Sequence, residues 1–147
     1  MDWTECKKKF LAKEIKPDKN LINSIIGSSK KKENTQKSID LNDETASSKL
    51  SLAYDSLREL LEALSILKGY KIYNHECYTY FLKEILNELS LGTKFDKLRK
   101  IRNLVNYYGK EISPEEVTSL LKDIEGISRD IKSRLKWFTN QLKIPFF

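Results

Sequence analysis

Cysteine, histidine, glycine and proline are all scarce in this chain, and each scarcity excludes something. The two cysteines, Cys6 and Cys77, stand far apart, form no Cys-x-x-Cys pair and have no histidine cluster beside them. The sequence therefore predicts reduced thiols rather than a staple or a metal site. His75 is the only histidine, and no metal-ligand spacing, Ser-His-Asp set or Gly-rich phosphate loop is present, so neither a metal nor a cofactor is expected. Five glycines and three prolines argue against many turns and hence against an all-β fold. Long apolar runs are missing too: none approaches the roughly 20 residues of a membrane span. Cys6 is followed by three lysines rather than by the apolar core of a signal peptide. These absences together predict a soluble, cytoplasmic protein with no membrane partner.

What is present fits one helical domain. A chain of 147 residues, 39% apolar and 33% charged, is long enough to bury a real core behind solvated outer faces. Its net charge of +6 permits an anionic partner, although the basic residues are spread widely. Residues 1–16 read as an N-terminal extension, a short amphipathic helix ended by Pro17. Packing of its Trp3 and Phe10 onto the bundle is preferred to a membrane-surface role. A first bundle helix is predicted from after Pro17 to about Ile39, with a stretch from Ser28 to Ser38 polar enough to fray. Asn42 or Asp43 is placed to cap the next helix, whose Leu50, Tyr54, Leu57, Leu61 and Leu64 hold helical spacing up to a stop at Gly69. Asn74 is a candidate N-cap for a third helix through Leu89, after which Gly92 and Thr93 reset the chain and Phe95 opens a fourth. Ser113-Pro-Glu-Glu is a capping box with proline at the first helical position. The last helix then buries Val117, Leu120, Ile124, Ile127, Ile131 and Leu135. The bundle is predicted over 17–138 and an apolar tail over 139–147. The fold class expected is all-α, an up-and-down bundle of four to five helices.

One stretch stands out chemically, from Leu98 to Gly109. Leu98, Ile101, Val105 and Tyr108 form an apolar stripe at helical spacing. Arg99, Arg102, Asn103, Asn106 and Lys110 form a second, polar stripe, with Tyr107 at its edge. Arginine offers a planar fork of donors suited to phosphate, and asparagine a donor and an acceptor on one short arm. Arg102 has two readings: a guanidinium on a bound or scissile phosphate, or an ion pair with Asp55, Glu59 or Glu62 on a neighbouring helix. Tyr107 reads either as a ring that stacks on a base or a hydroxyl that hydrogen-bonds a phosphate, or as a buried ring with its hydroxyl at the rim. His75 completes a split site with Arg102 only if the start of its helix lies beside the motif.

The Arg-Asn-x-x-x-Tyr-Tyr-Gly arrangement, with Leu-Arg-Lys-Ile before it, resembles the core motif of the HEPN superfamily. The resemblance extends to the helix from Leu52 to Ala63 and to Gly69–Glu76, and it covers most of the chain from about Pro17 onward. Arg102 and Asn103 match the first half of that motif, while Tyr107, Tyr108 and Gly109 stand where its histidine would be. The resemblance implies a helical homodimer with the two Arg102 side chains lining one cleft. It also implies a nucleotidyltransferase partner, of the toxin–antitoxin kind, and RNA or nucleotide as ligand. It assigns Arg102, Asn103 and Tyr107 to catalysis, and Arg99, Asn106, Tyr108 and Lys110 to substrate binding. A tyrosine titrates near pH ~10, so it donates a proton at neutral pH but is a poor base. A weakened or non-catalytic binding role is therefore expected ahead of an active metal-independent ribonuclease, with a plain dimer scaffold as the third reading. In some toxin relatives a tyrosine near the motif is the residue modified by the partner, a part open to Tyr107 or Tyr108.

Overall fold

The structure, a computed structural model, describes the backbone of residues 1–141 and the side chains of residues 1–137. It is an all-α bundle made of α1 (Trp3–Lys8), α2 (Lys19–Ser38), α3 (Ala46–Leu67), α4 (His75–Tyr80), α5 (Leu89–Tyr107) and α6 (Pro114–Gln141). A π-helical turn, Phe81–Ile85, continues α4. Two short strands, β1 (Ala12–Glu14) and β2 (Tyr70–Ile72), pair antiparallel with Ala12 opposite Ile72. Six helices thus stand among the described residues where four to five were expected. The sixth is α1, the short helix of the N-terminal extension, and the other five are the bundle helices. The predicted apolar tail at 139–147 lies outside the described side chains.

Helix α3 is the centre. Leu57, Leu60, Leu61 and Leu64 are at most 1% exposed, and every residue from Ala63 to Leu67 is buried. So wide an apolar face must be covered from several sides: α2 and α6 cover most of it, with α5 and β2 against the remainder. Each leucine so enclosed contributes about 2 kcal/mol of burial. The predicted stripe of α6, from Val117 to Leu135, is buried at all six positions. Its capping box forms as expected: Ser113 Oγ accepts from Glu116 N at 3.1 Å, and Glu116 Oε1 accepts from Ser113 N at 3.4 Å. Asn74 caps α4 by accepting from Glu76 N at 2.8 Å. Gly69, with φ of +93°, ends α3 in the left-handed conformation that glycine adopts without strain. Asn42 orders the turn ahead of α3, accepting from Glu44 N and Thr45 N, while Thr45 itself occupies the N-cap position.

Three local expectations are corrected. The polar stretch from Ser28 to Ser38 is helical throughout, and its inward polar groups are answered by α3 and, through Glu33 and Lys132, by α6. Ser29 and Ser56 exchange hydrogen bonds to each other's carbonyls at 2.7 and 2.9 Å, which holds two small residues at a close helix crossing. Lys32 pairs with the buried Glu59, and Lys49 Nζ donates to the last carbonyls of the helix, Gln36 O at 2.5 Å and Ile39 O at 2.7 Å. Nor do Gly92 and Thr93 interrupt the chain, since α5 starts at Leu89 and runs through both. Gly92 is small for packing reasons: a Cβ there would lie 3.0 Å from Thr79 O and closer still to the Lys83 side chain.

The third correction concerns the cysteines. Cys6 and Cys77 are joined in a disulfide, with Cα atoms 6.1 Å apart and both residues wholly buried. The long separation in sequence concealed the pairing, because β1–β2 pairing brings the N-terminal segment alongside the start of α4. The expectation of reduced thiols fails, and the cytoplasmic argument built on it loses that support. No described helix is long and apolar enough to cross a membrane. Trp3 packs as expected, edge-on to Tyr70 at 5.2 Å, but Phe10 is 84% exposed rather than packed. The bond closes a loop with a separation of 71 residues, for which chain entropy predicts about 4 kcal/mol of stabilisation. Urea denaturation of a Cys6→Ser, Cys77→Ser variant should show a loss of that order, and reductant should destabilise the wild type equally. An unchanged midpoint on reduction would mean that the bond does not form.

Candidate functional site

Leu98 and Val105 are buried and Ile101 is half-buried, so α5 sits on the bundle by the predicted stripe. Tyr108 leaves that stripe and is 79% exposed. The helix ends at Tyr107, and Gly109 with φ of +67° turns the chain away, so the position at i+10 no longer faces the core. The residues of the polar stripe have different partners. Arg99 is held by Asp96, through Nε at 3.0 Å and Nη2 at 2.8 Å, with Glu76 at 3.6 Å. Asn106 Oδ1 accepts from Ser51 Oγ on α3 at 2.8 Å. Lys110 lies beyond the helix and lines an open cavity of about 620 Å³ with Asp43, Ser47 and Glu111. Asn103 is half-buried, with Oδ1 3.5 Å from Arg102 Nη1.

Arg102 is the centre of the group. Its guanidinium carbon lies 5.1 Å from the ring centroid of Tyr54 and 5.4 Å from that of Tyr107, both within cation–π range. Nη1 donates to Tyr107 OH at 3.0 Å, and Nη2 meets Asp55 Oδ1 at 3.5 Å. Of the three carboxylates considered from sequence, Asp55 is therefore the partner, at a longer distance than the shortest contacts of Arg99 or of Arg58, whose Nη1 reaches Glu62 at 3.0 Å. Nε is buried without a hydrogen-bond partner among the described residues. The guanidinium is thus the least compensated of the three: two rings, a hydroxyl and one long ion pair hold it.

His75 does lie beside the motif. Tyr54 OH and His75 Nδ1 are 3.3 Å apart, with the donor set by the imidazole tautomer. Tyr54 thereby links the start of α4 to Arg102 on α5, its ring below the guanidinium and its hydroxyl on the imidazole. Burial, and then the positive field of Arg58 and Arg102 against the opposing Asp55, lower the His75 pKa to about 4. The imidazole is neutral at pH 7. Burial pushes the Tyr54 hydroxyl well above its ordinary value, so it keeps its proton, and the Tyr78 hydroxyl behind it is raised by burial and by Glu62.

The structure therefore brings Arg102, Asn103, Tyr107 and His75 together, with Arg99 close by in an ion pair of its own. Tyr108 and Lys110 belong to the α5–α6 connection. Sequence reading missed the part played by Tyr54, which it counted as core, and by Arg58. The available signal was Tyr-Asp-x-x-Arg on α3, which sets an acidic and a basic side chain within about one turn of a ring on the apolar stripe. No cluster of metal-ligating side chains occurs among the described residues. Comparison of the chain with protein-family models, curated protein sequences and solved structures gives no match.

The lowered His75 pKa fixes the sign of one pH effect. The unfolded chain takes up this proton at an ordinary 6.5 and the folded chain only at about 4. Stability falls as pH drops through that window, by about 2 kcal/mol after allowance for solvent screening at a half-buried site. Urea denaturation between neutral pH and pH ~4 should show a steeper loss for the wild type than for His75→Asn. Equal slopes would place the imidazole in water.

Proposed function

We propose that the Arg102 face binds a phosphate of RNA or of a nucleotide, and that the chain is a HEPN-type component of a nucleotidyltransferase-linked, toxin–antitoxin-like pair. The observation that carries the phosphate reading is the weak compensation of Arg102 beside a neutral His75. Guanidinium groups of Arg58, Arg99 and Arg102 all act on that imidazole, so the site presents a positive field with one loosely held fork. An incoming phosphate oxygen competes with Asp55 at 3.5 Å and with Tyr107 OH, both weaker partners for a guanidinium than a bidentate phosphate. Tyr107, 69% exposed, offers its ring to a base once its hydroxyl is displaced.

Binding is preferred to cleavage for a chemical reason. Attack by a 2′-hydroxyl on the adjacent phosphodiester needs a base to take the hydroxyl proton and an acid to protonate the leaving 5′-oxygen. Tyr107 supplies the second role only, and an imidazole with a pKa near 4 is a weak base. A second reading, an active metal-independent ribonuclease, is favoured by one observation: Tyr54 places His75 in the same group as Arg102. A bound phosphate would raise the imidazole pKa toward neutrality and so improve the base. The homodimer and the nucleotidyltransferase partner rest on the motif resemblance.

Two measurements test this. The His75 imidazole, followed by NMR titration, should shift its pKa upward by about one unit on saturation with adenosine monophosphate, and the shift should vanish in Arg102→Ala. No shift in the wild type would remove phosphate from the site. Controlled expression of wild type and Arg102→Ala, with inspection of cellular tRNA and messenger RNA, then separates the two readings. Fragments made only by the wild type would establish the ribonuclease; intact RNA with a phosphate-dependent His75 shift would leave the binding module.

A further inference from the structure

Between α1 and β1, the chain turns on a residue that the local geometry does not favour. Phe10 N donates to Lys7 O at 3.1 Å and Leu11 N to Cys6 O at 2.9 Å, the paired bonds of a helix end that places one residue in the left-handed region. That residue is Phe10, with φ of 58°. Glycine is the usual occupant because a side chain there crowds the following carbonyl. The strain is not offset by packing: at 84%, Phe10 is the most exposed large hydrophobic residue among those described. The tip is also held firmly. Cys6 is bonded to Cys77, Tyr73 N donates to Leu11 O at 2.8 Å, and Ala12 pairs with Ile72. A ring is thus fixed in solvent on a rigid base.

Its surroundings are basic. Lys7, Lys8, Lys9 and Lys13 are exposed, no acidic residue lies between positions 7 and 13, and none of the four lysines forms an ion pair with a described residue. Glu5 and Glu14 flank the tip outside this run. Tyr73, 54% exposed, is the neighbouring ring, with Lys13 Nζ 5.8 Å from its centroid. We propose that the Phe10 tip is a contact site for single-stranded nucleic acid, its ring stacking on a base while Lys7, Lys8, Lys9 and Lys13 neutralise the flanking phosphates. Stacking tolerates any base, and lysines track any backbone, so the site is sequence-independent. A lipid surface fits less well. The apolar face of α1, Trp3 and Cys6, is already buried in the bundle, which leaves a single ring and no amphipathic face to lie in a membrane. The inference does not depend on Arg102.

The test uses fluorescein-labelled dodecauridylate and dodecathymidylate, by fluorescence anisotropy, in the Arg102→Ala background so that the motif face is silent. Phe10→Gly should weaken binding to the single strands about tenfold while raising the melting temperature, because glycine relieves the left-handed strain. Opposite signs on affinity and stability separate loss of contact from loss of fold. Replacing Lys7, Lys8 and Lys9 by glutamine should weaken binding and lower the salt slope by about two. Equal binding of both oligomers means a site for single strands generally, and a preference for uridylate means a contact to the ribose hydroxyl; both support the proposal. Undiminished binding by Phe10→Gly overturns it. So does a wild-type preference for vesicles of phosphatidylserine and phosphatidylcholine over either oligomer.

Discussion

Everything in this fold follows from the need to enclose α3. Apart from the half-buried stripe of Asp55, Arg58 and Glu62, its residues from Ala53 to Leu67 are buried, so α2, α5, α6 and β2 must cover it from several sides. Enclosure raises the cost of each polar group the helix carries, since a buried donor or acceptor without a partner forfeits its hydration. Most of these groups are satisfied, although Glu59 Oε2 is buried without a hydrogen-bond partner among the described residues. Ser56 answers Ser29, Glu59 answers Lys32, and Lys49 closes the carbonyl end of α2. The polar half of α2, which looks unfit for a helix in isolation, is the partner set that these groups require.

Toward α4 and α5 the same rule yields the candidate site. Tyr54 cannot reach water, so its hydroxyl meets His75 and its ring takes Arg102. Arg58 and Arg99 are matched closely, to Glu62 and Asp96, and the Glu62 carboxyl is held below its ordinary pKa by Lys71 and Arg58 against the opposing effect of burial. The shortest ion-pair contact of Arg102 is longer than that of Arg58 or Arg99, and its Nε is buried without a partner among the described residues. Burial is the main cause of the lowered His75 pKa, and the positive field of Arg58 and Arg102 that adds to it is the field an anion would meet. Tyr107 adds to the compensation from Asp55, its hydroxyl accepting from Arg102 Nη1 at 3.0 Å and its ring centroid 5.4 Å from the guanidinium carbon.

The N-terminal segment belongs to the same construction. Cys77 lies two residues beyond His75, and Tyr73 two residues before it. The disulfide and the β1–β2 pairing thus fasten the helix start that presents the imidazole, as well as the turn that presents Phe10. One staple positions a residue of the candidate site and an exposed ring at the molecule's edge.

Periodicity and capping chemistry made much of this legible in advance. The stripes of α3 and α6, the stop at Gly69 and the starts at Asn74 and Ser113 are local properties, carried by residues within a few turns of one another. So is the separation of Arg102 from the apolar face of α5. What the sequence could not supply are choices among distant partners. Asp55 rather than Glu59 or Glu62 beside Arg102, Tyr54 beside His75, and Cys6 bonded to Cys77 all depend on how helices cross, and crossing is set by the sum of many packing contacts. Phe10 fails for the same reason: its hydrophobicity predicts burial, but the turn that closes α1 points it outward. The chain by itself determined which segments are helices and which faces are apolar, because those follow from spacing. Only the tertiary structure decided which charges and rings meet, because that depends on burial and orientation that no local pattern encodes.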